Sequence, residues 1–175
     1  AAPTTPETTS SGLLTTCDVI IEEDFEDGQT TGTWFEGRVT RSDIRVGDGA
    51  YEIVVGDLGD GVDATSWGSL QAYVVDNASV EAVIRAANFD LLDDTRTGLW
   101  VRYQDETAFL AFMIRNDGAY RVAVFEDDDY TDIVDWTFSN AIETGDDAPN
   151  IIRIDLDGPR FSLYINGEFI RSVTD

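Results

Sequence analysis

The sequence contains no histidine and no lysine, and it has a single cysteine, Cys17, among 175 residues. One cysteine excludes a disulfide within the chain, and the lack of histidine excludes nucleophilic sites of the Ser-His-Asp or Cys-His type. A zinc site is not indicated either, because there is no pair of His or Cys ligands. These absences remove several common catalytic and metal-binding classes before any motif is considered.

Positive charge is also scarce. All 11 basic residues are arginine, against 35 acidic residues, and the formal net charge is −24. Binding to nucleic acid or to anionic lipid needs clusters of Lys and Arg, so we expect neither. No run approaches the ~18 apolar residues of a membrane span, so membrane insertion is not expected. Cations, neutral sugars and basic partner proteins remain open as ligands.

The first 17 residues differ in composition from the rest of the chain. They are rich in Thr, Ser and Pro ("AAPTTPETTSSG"), which is typical of an exposed linker or N-terminal tail. Residues 18–175 are predicted to form one β-sandwich domain. The acid excess suits a secreted protein, a high-salt habitat or a GC-rich genome alike. The tail suits an exposed stalk, so we expect an extracellular or cell-surface location.

Short runs of β-branched and aromatic residues recur along the domain, separated by Gly, Asn and Asp, and no stretch has the 3.6-residue apolar period of a helix over three turns. This pattern predicts an all-β fold, an antiparallel two-sheet β-sandwich or jelly roll. The predicted strands are Val19–Phe25, Tyr51–Val55, Ser69–Val75, Val80–Ala87, Leu99–Tyr103, Ala108–Arg115, Tyr120–Phe125, Ile151–Leu156, Phe161–Ile165 and Glu168–Val173.

Asn-Gly and Asp-Gly dipeptides between these runs indicate tight hairpins, which fix the residues that face each other. In the last hairpin, formed at Asn166-Gly167, Val173 is expected on the outer face with Tyr164 and Phe169. The cross-strand pairs predicted from the three clearest hairpins are Tyr164–Phe169, Leu163–Ile170, Ile154–Phe161, Ile152–Leu163, Asp155–Arg160, Arg115–Tyr120 and Met113–Val122.

The strand Ala108–Arg115 is apolar on both faces. One interpretation is a central strand whose outer face is covered by a loop or a partner. The other is a sheet surface lined with aromatic residues for a ligand. The two predicted faces are Phe109, Ala111 and Met113 on one side and Leu110, Phe112 and Ile114 on the other.

Residues from about 20 to 175 resemble an extracellular bacterial domain of the concanavalin A-like lectin/glucanase (laminin-G-like) superfamily. The resemblance rests on "TDIVDWTFSNAIETGDDAPNIIRIDLDGPRFSLYINGEFIRSVTD" and on "EDFEDG" followed by Trp34. It implies a concanavalin A-like jelly roll but not a function, because the superfamily holds lectins, adhesion modules, glycosidases and inert spacers. Its members usually continue with one more strand, so the last strand is expected to be missing here or supplied in trans.

The candidate for catalysis is "EEDFE", in which Glu22, Asp24 and Glu26 would share one face of a strand. Glucanases of the superfamily use a similar E-x-D-x-E motif, and retaining hydrolysis needs carboxyls ~5–5.5 Å apart. Two departures weaken the match. Glu23 stands where an apolar residue is expected, and the triplet lies on the first strand rather than in mid-domain. We therefore expect a non-catalytic protein, with a glycoside hydrolase as the third hypothesis.

Clustered aspartates offer the oxygen ligands that Ca²⁺ prefers. A structural Ca²⁺ at one of the clusters and a plain solvated acidic loop both remain open. The candidate metal ligands are Asp57, Asp60 and Asp63 in "GDLGDGVD", and Asp24 and Asp27 at the end of the first strand, with a further acidic cluster at residues 127–129.

Sugar binding is indicated by aromatic residues, whose rings stack on sugars while polar neighbours bind the hydroxyls. Trp100 is the best single candidate, because it alternates with Leu99 and Val101 and must face away from them. Trp136 has a structural place in the family pattern and is set aside. The candidate ligand-binding residues are Trp100, Trp67, Tyr103, Arg102, Arg115 and Tyr120.

The sequence therefore predicts a non-catalytic extracellular β-sandwich module that binds carbohydrate, such as a cell-surface glycan, or mediates adhesion. The alternative is a structural subunit of a surface layer, sheath or filament. In that case the C-terminal edge strand would support self-association by pairing with a neighbouring chain.

Overall fold

The structure, a computed structural model, describes residues 18–26, 30, 34–39, 42–55, 77–87, 95–105 and 107–174. The secondary-structure elements assigned in these ranges are β-strands, apart from a single 3-10 turn position at Glu26. None of the described segments is a helix long and apolar enough to cross a membrane. The chain divides into two compact units, with the boundary between residues 74 and 75, and each is described by itself.

The N-terminal unit contains a three-stranded antiparallel sheet of order β1-β2-β3, in which β1 is Gly37–Val39, β2 is Ser42–Gly47 and β3 is Ala50–Val55. Asp48 and Gly49 both have positive φ, 53° and 73°, as a two-residue hairpin loop between β2 and β3 requires. Ile44 on the middle strand is 1% exposed and anchors this sheet.

Three aromatic rings connect the segment before β1 to β3. Trp34 lies 5.0 Å from Phe25 and 4.9 Å from Tyr51 between ring centroids. The Tyr51 hydroxyl donates a hydrogen bond to the carbonyl oxygen of Phe35 at 2.8 Å. Burial raises the pKa of Tyr51 above its ordinary value. The cluster holds the first described residues against the sheet although they form no strand themselves.

The C-terminal unit is an antiparallel two-sheet β-sandwich, which confirms the predicted fold class. One sheet has the order β11-β10-β9-β4 and the other β5-β6-β7-β8. The strands are β4 (Ala78–Ile84), β5 (Arg96–Asp105), β6 (Ala108–Arg115), β7 (Ala119–Glu126), β8 (Asp129–Phe138), β9 (Asn150–Asp157), β10 (Arg160–Ile165) and β11 (Glu168–Thr174).

The core lies between these two sheets and is built from alternate residues of their strands. Burying each such side chain stabilises the fold by about 1.5–3 kcal/mol. The largest side chains that are fully buried in this core are Phe112, Phe161, Val122, Ile152, Ile154, Leu163 and Ile165.

The C-terminal hairpin confirms the predicted Asn166-Gly167 loop, whose residues have φ of 52° and 80°. The register changes after the first two pairs, because a bulge at Ile170 places Leu163 opposite Arg171. The predicted Leu163–Ile170 pair is therefore wrong. The extra residue also reverses the facing of the rest of β11, so that Val173 is 8% exposed and packs in the core instead of lying outside.

The hairpin between β9 and β10 turns at Gly158-Pro159 instead of Asp157-Gly158. Phe161 consequently faces Leu156, and the predicted Ile154–Phe161 pair is wrong by two residues. The predicted Ile152–Leu163 and Asp155–Arg160 pairs are displaced in the same way. Because side chains alternate with a period of two, this shift leaves the same residues on the core face.

The hairpin between β6 and β7 has a three-residue loop, Asn116–Gly118. Gly118 adopts φ of 94°, and its N–H donates to the carbonyl oxygen of Arg115 at 3.0 Å. Tyr120 therefore faces Ile114, so the predicted Arg115–Tyr120 pair is wrong. The predicted Met113–Val122 pair is wrong for the same reason. A one-residue shift moves every side chain of a strand to the opposite face.

Eight of the ten predicted strands overlap observed ones. Val19–Phe25 does not form a strand, and Phe25 has φ of 56°, which interrupts an extended chain. The predicted strand at 69–75 lies outside the described residues. The predicted set lacks β1, β2 and β8, which carry charged residues at several positions.

Candidate functional site

The outer face of the β5–β8 sheet carries a second apolar cluster, separate from the core between the sheets. Its base is formed by Phe109, Ala111 and Met113 of β6, which are between 0% and 8% exposed. The half-buried rings of Trp100, Tyr103, Phe125, Tyr130 and Trp136 pack around this base. We call these eight residues the aromatic face.

The register of the strands explains why the rings meet. Phe109 lies opposite Phe125, which in turn lies opposite Tyr130. The Phe109 and Phe125 rings stack with centroids 4.9 Å apart, and those of Phe125 and Tyr130 are 4.7 Å apart. The loop before β8 fixes this alignment, because Asp127 and Asp128 adopt φ of 52° and 65° as a tight two-residue turn requires.

Trp100 projects from β5 onto the same face. Its ring stacks on Phe109 with centroids 4.0 Å apart and an interplanar angle of 16°. Its chain neighbours Leu99 and Val101 pack in the opposite direction, into the core, as their alternation predicts. The strand is irregular after Val101, and Arg102 has a φ of 53°. This bulge places the Tyr103 side chain on the same side of the sheet as Trp100.

Two arginines lie against rings of the aromatic face. The guanidinium carbon of Arg115 is 4.8 Å from the centroid of the Trp136 ring, and that of Arg121 is 5.3 Å from Tyr130. Such cation–π contacts are worth about 0.5–2 kcal/mol. They hold each guanidinium in a fixed orientation beside a ring.

Each of these arginines also has a carboxylate partner. Arg121 Nε donates to Asp132 Oδ1 at 2.5 Å, and Arg115 Nε donates to Asp117 Oδ1 at 3.0 Å. The hydrogen bond from Arg115 lowers the pKa of Asp117, and burial opposes this effect without reversing it. Both positive charges are therefore matched by a neighbouring negative charge.

A shallow depression with room for about one water molecule adjoins the Arg115 end of this sheet. It lies at one end of the sandwich and has both apolar and polar walls. The polar side chains that line it are Thr95, Thr97, Arg115, Asn116, Glu143 and Asn150. The Asn150 side chain already makes hydrogen bonds with the backbone of Glu143. The Arg115 side chain both lines the depression and lies over the ring of Trp136.

Three of the predicted ligand-binding residues lie on the outer side of the β5–β8 sheet: Trp100 and Tyr103 within the aromatic face, and Arg115 beside its Trp136 ring. Tyr120 is 3% exposed and lies in the core, which keeps its ring out of a ligand's reach. Arg102 points away from the aromatic face, since its guanidinium lies 4.5 Å from the Phe161 ring and donates to the Gly158 carbonyl. Trp67 lies outside the described residues.

The predicted catalytic triplet does not have the geometry expected of it. Glu22, Asp24 and Glu26 are exposed, but the positive φ of Phe25 breaks the extended chain on which they would share a face. The backbone N–H of Glu26 donates to Asp24 Oδ1 at 3.0 Å, which closes a local turn. The expectation of three aligned carboxylates on a strand is therefore wrong.

Most of the predicted calcium ligands lie outside the described residues, namely Asp27, Asp57, Asp60 and Asp63. Within the described ranges, no group of three or more His, Cys, Asp or Glu side chains is placed to hold a metal ion. The acidic cluster at residues 127–129 includes the hairpin turn between β7 and β8. Calcium binding by the loop at residues 56–63 stays a prediction.

Phe125, Tyr130, Trp136 and Arg121 were not among the predicted binding residues. The sequence signal for Phe125 and Tyr130 is the run "EDDD" at residues 126–129. Its two middle residues form a hairpin turn, whereas the run was interpreted as an acidic cluster for a metal. Once that turn is placed at Asp127-Asp128, Phe125 and Tyr130 must face each other.

No protein-family model matches this chain, and no curated protein matches it. Among solved structures, the carbohydrate binding module CBM66 from Bacillus subtilis is similar with a TM-score of 0.49 and 13% identity, over 82% of this chain and 76% of that one. Sheep galectin-11, solved in complex with glycerol, is similar with a TM-score of 0.44 and 10% identity, over 59% and 74% respectively. At such low similarity neither structure carries an argument about this chain's ligand.

Proposed function

We propose that this chain is a non-catalytic carbohydrate-binding module and that the aromatic face is its binding surface. The observation that supports this is five half-buried rings gathered on one side of a sheet, with two guanidiniums held among them. Rings present apolar surface to the C–H faces of a sugar, while guanidinium N–H groups donate to its hydroxyls.

The base of the aromatic face favours binding because it restricts the rings before a ligand arrives. Phe109 is 5% exposed and contacts the rings of Trp100, Phe125 and Tyr130. Ordering a flexible side chain on binding costs about 0.5–1.5 kcal/mol, and packing on a buried base reduces that cost. The rings and guanidiniums are therefore largely preorganised.

We further propose that the module acts outside the cell, or at its surface, in glycan recognition or adhesion. The Thr/Ser/Pro-rich first 17 residues and the net charge of −24 support this location. The resemblance of the sequence to the concanavalin A-like superfamily agrees with it, since that group includes lectins and adhesion modules.

A polysaccharide panel tests the proposal. The chain is measured by affinity electrophoresis and calorimetry against soluble glucan, galactan, xylan and mannan. The Trp100→Ala and Trp136→Ala variants are expected to lose at least about tenfold in affinity, or ~1.4 kcal/mol. Phe169→Ala is the matched control, because Phe169 is 57% exposed on the other sheet and is expected to keep full affinity.

Two outcomes contradict the proposal. One is that no glycan on the panel binds to the intact chain. The other is that Trp100→Ala and Trp136→Ala both bind as well as the parent while circular dichroism shows them folded.

Assembly by strand sharing is the second candidate function. It is supported by the position of β11, which is seven residues long and lies at the edge of its sheet within the described residues. A concentration series in size-exclusion chromatography with light scattering should then show growing oligomers. A constant monomer mass over the whole series contradicts it.

A further inference from the structure

We infer that the aromatic face selects uncharged glycan chains of several sugar units over chains that carry carboxylate or sulfate groups. This inference rests on the proposed carbohydrate-binding function and specifies its ligand class. It follows from how the two arginines are paired and from where their rings lie on the sheet.

The first step concerns charge within the face. A positive site for an anionic sugar needs a guanidinium whose charge is available to the ligand. Arg121 is paired with Asp132, and Arg115 is paired with Asp117. The side chain of Arg121 is 13% exposed and that of Arg115 is 21% exposed. Each arginine–aspartate pair therefore offers N–H donors in a fixed orientation, and the pair as a whole carries no net charge.

The second step concerns the surroundings of the face. Arg96 lies opposite Arg115 in register, so that a third guanidinium stands at this end of the sheet. The opposite end of the sheet carries more acidic residues, at Asp105 and at the turn between β7 and β8, Glu126–Asp129. Beyond this sheet the chain as a whole has 35 acidic residues against 11 arginines. An anionic chain lying along the face therefore meets net repulsion.

The third step concerns length. Tyr130 lies opposite Phe125, and Thr137, the residue after Trp136, lies opposite Tyr120. Five residues of β7 separate these two positions, which corresponds to roughly 16 Å along the strand, and Trp136, one residue nearer, lies roughly 13 Å from the level of Tyr130. One sugar ring cannot stack on both Tyr130 and Trp136 at that separation, whereas a linear chain of several units can.

The test compares polysaccharides that share a backbone and differ in charge. The intact chain is titrated with soluble glucan, galactan and xylan, each beside its carboxymethylated derivative, at low and high NaCl. The neutral form is expected to bind at least tenfold more tightly at low salt. The difference is expected to shrink at high salt, because salt screens the repulsion. Longer neutral oligosaccharides are expected to bind more tightly than the monosaccharide.

Two matched variants separate local from overall charge. Asp132→Asn removes the partner of Arg121 and is expected to raise the ratio of acidic to neutral affinity severalfold. Asp155→Asn makes the same charge change on the other sheet, where Asp155 pairs with Arg153, and is expected to leave that ratio unchanged. Equal ratios in the two variants overturn the inference.

The outcomes distinguish this inference from the function on which it depends. If a carboxymethylated glycan binds as tightly as the neutral one and Trp136→Ala abolishes both, the face binds sugars but the charge selection is refuted. If a single sugar unit binds as tightly as its oligomers, the multi-unit site is refuted. If neither form of any glycan binds, the proposed function itself fails.

Discussion

The side-chain amide of Asn166 donates from Nδ2 to Oδ1 of Asn150 at 2.9 Å. Asn150 is 4% exposed, and its amide makes two further bonds of 2.9 Å with the backbone N–H and carbonyl of Glu143. Asn166 in turn accepts from the N–H of Ile151 and donates to the carbonyl of Ala141, both at 2.8 Å. The two amides thus join the loop between β8 and β9 to the C-terminal hairpin.

Replacing Asn150 by Asp is expected to destabilise the chain by about 2–3 kcal/mol. The carboxylate keeps an acceptor for the Glu143 N–H but removes the N–H donors to the carbonyl oxygens of Glu143 and Ala148, and it buries a charge. Denaturant unfolding at neutral pH measures the change. Asn116→Asp makes the same substitution on a partly exposed turn residue and is expected to change stability by less than about 0.5 kcal/mol. Equal effects of the two substitutions would contradict the role assigned to Asn150.

Gly98→Ala is expected to destabilise the β5–β8 sheet by at least about 2 kcal/mol. A Cβ at this position overlaps the carbonyl oxygen of Phe112 and lies 2.8 Å from the Cα of Met113, so β5 and β6 would have to separate. Thermal unfolding measures the effect. Gly47→Ala is the control, because a Cβ there has nothing within 4 Å. A Gly98→Ala variant as stable as the parent would contradict the close strand approach.

The Arg115–Asp117 pair is expected to contribute stability at neutral pH and to lose it in acid. Its hydrogen bond lowers the pKa of Asp117 in the folded state below the value of about 3.9 found in unfolded chains. A carboxyl with a lowered folded pKa stabilises the protein above the unfolded pKa, and the contribution disappears as pH falls through the folded pKa.

Unfolding midpoints of the parent and of Asp117→Asn, measured from neutral to strongly acidic pH, check this expectation. The asparagine keeps an acceptor for the N–H of Ala119, which Asp117 binds at 3.1 Å, so that the difference between the two proteins isolates the charge. The parent is expected to be more stable at neutral pH, and the two curves should converge in acid. A difference that stays constant with pH would show that the ion pair contributes nothing.

The two-faced pattern of β6 could be predicted from the sequence, because alternation on a strand is a local property. It placed Phe109 and Phe112 on opposite sides, as the structure has them. The Asn166-Gly167 hairpin was equally predictable, since its loop demands two residues with positive φ.

Register could not be predicted where the loop or the strand was irregular. The three-residue loop at Asn116–Gly118 and the bulge at Ile170 each add one residue, and one residue is enough to reverse a face. Tyr120 was therefore expected at the surface, and Val173 was too. The members of the candidate site contributed by β8 were missed for a related reason, because Tyr130 and Trp136 join the aromatic face only through their alignment with β7.

The bulge at Ile170 also limits what β11 can offer to another chain. A strand that adds to an edge needs a regular series of N–H and carbonyl groups pointing outward, and an extra residue interrupts that series and increases the local twist. Natural sheets use such irregular edges to discourage unwanted pairing. Any chain that extends this sheet beside β11 must therefore bend with it at Ile170–Arg171, so the edge selects a partner of matching shape instead of accepting any extended strand.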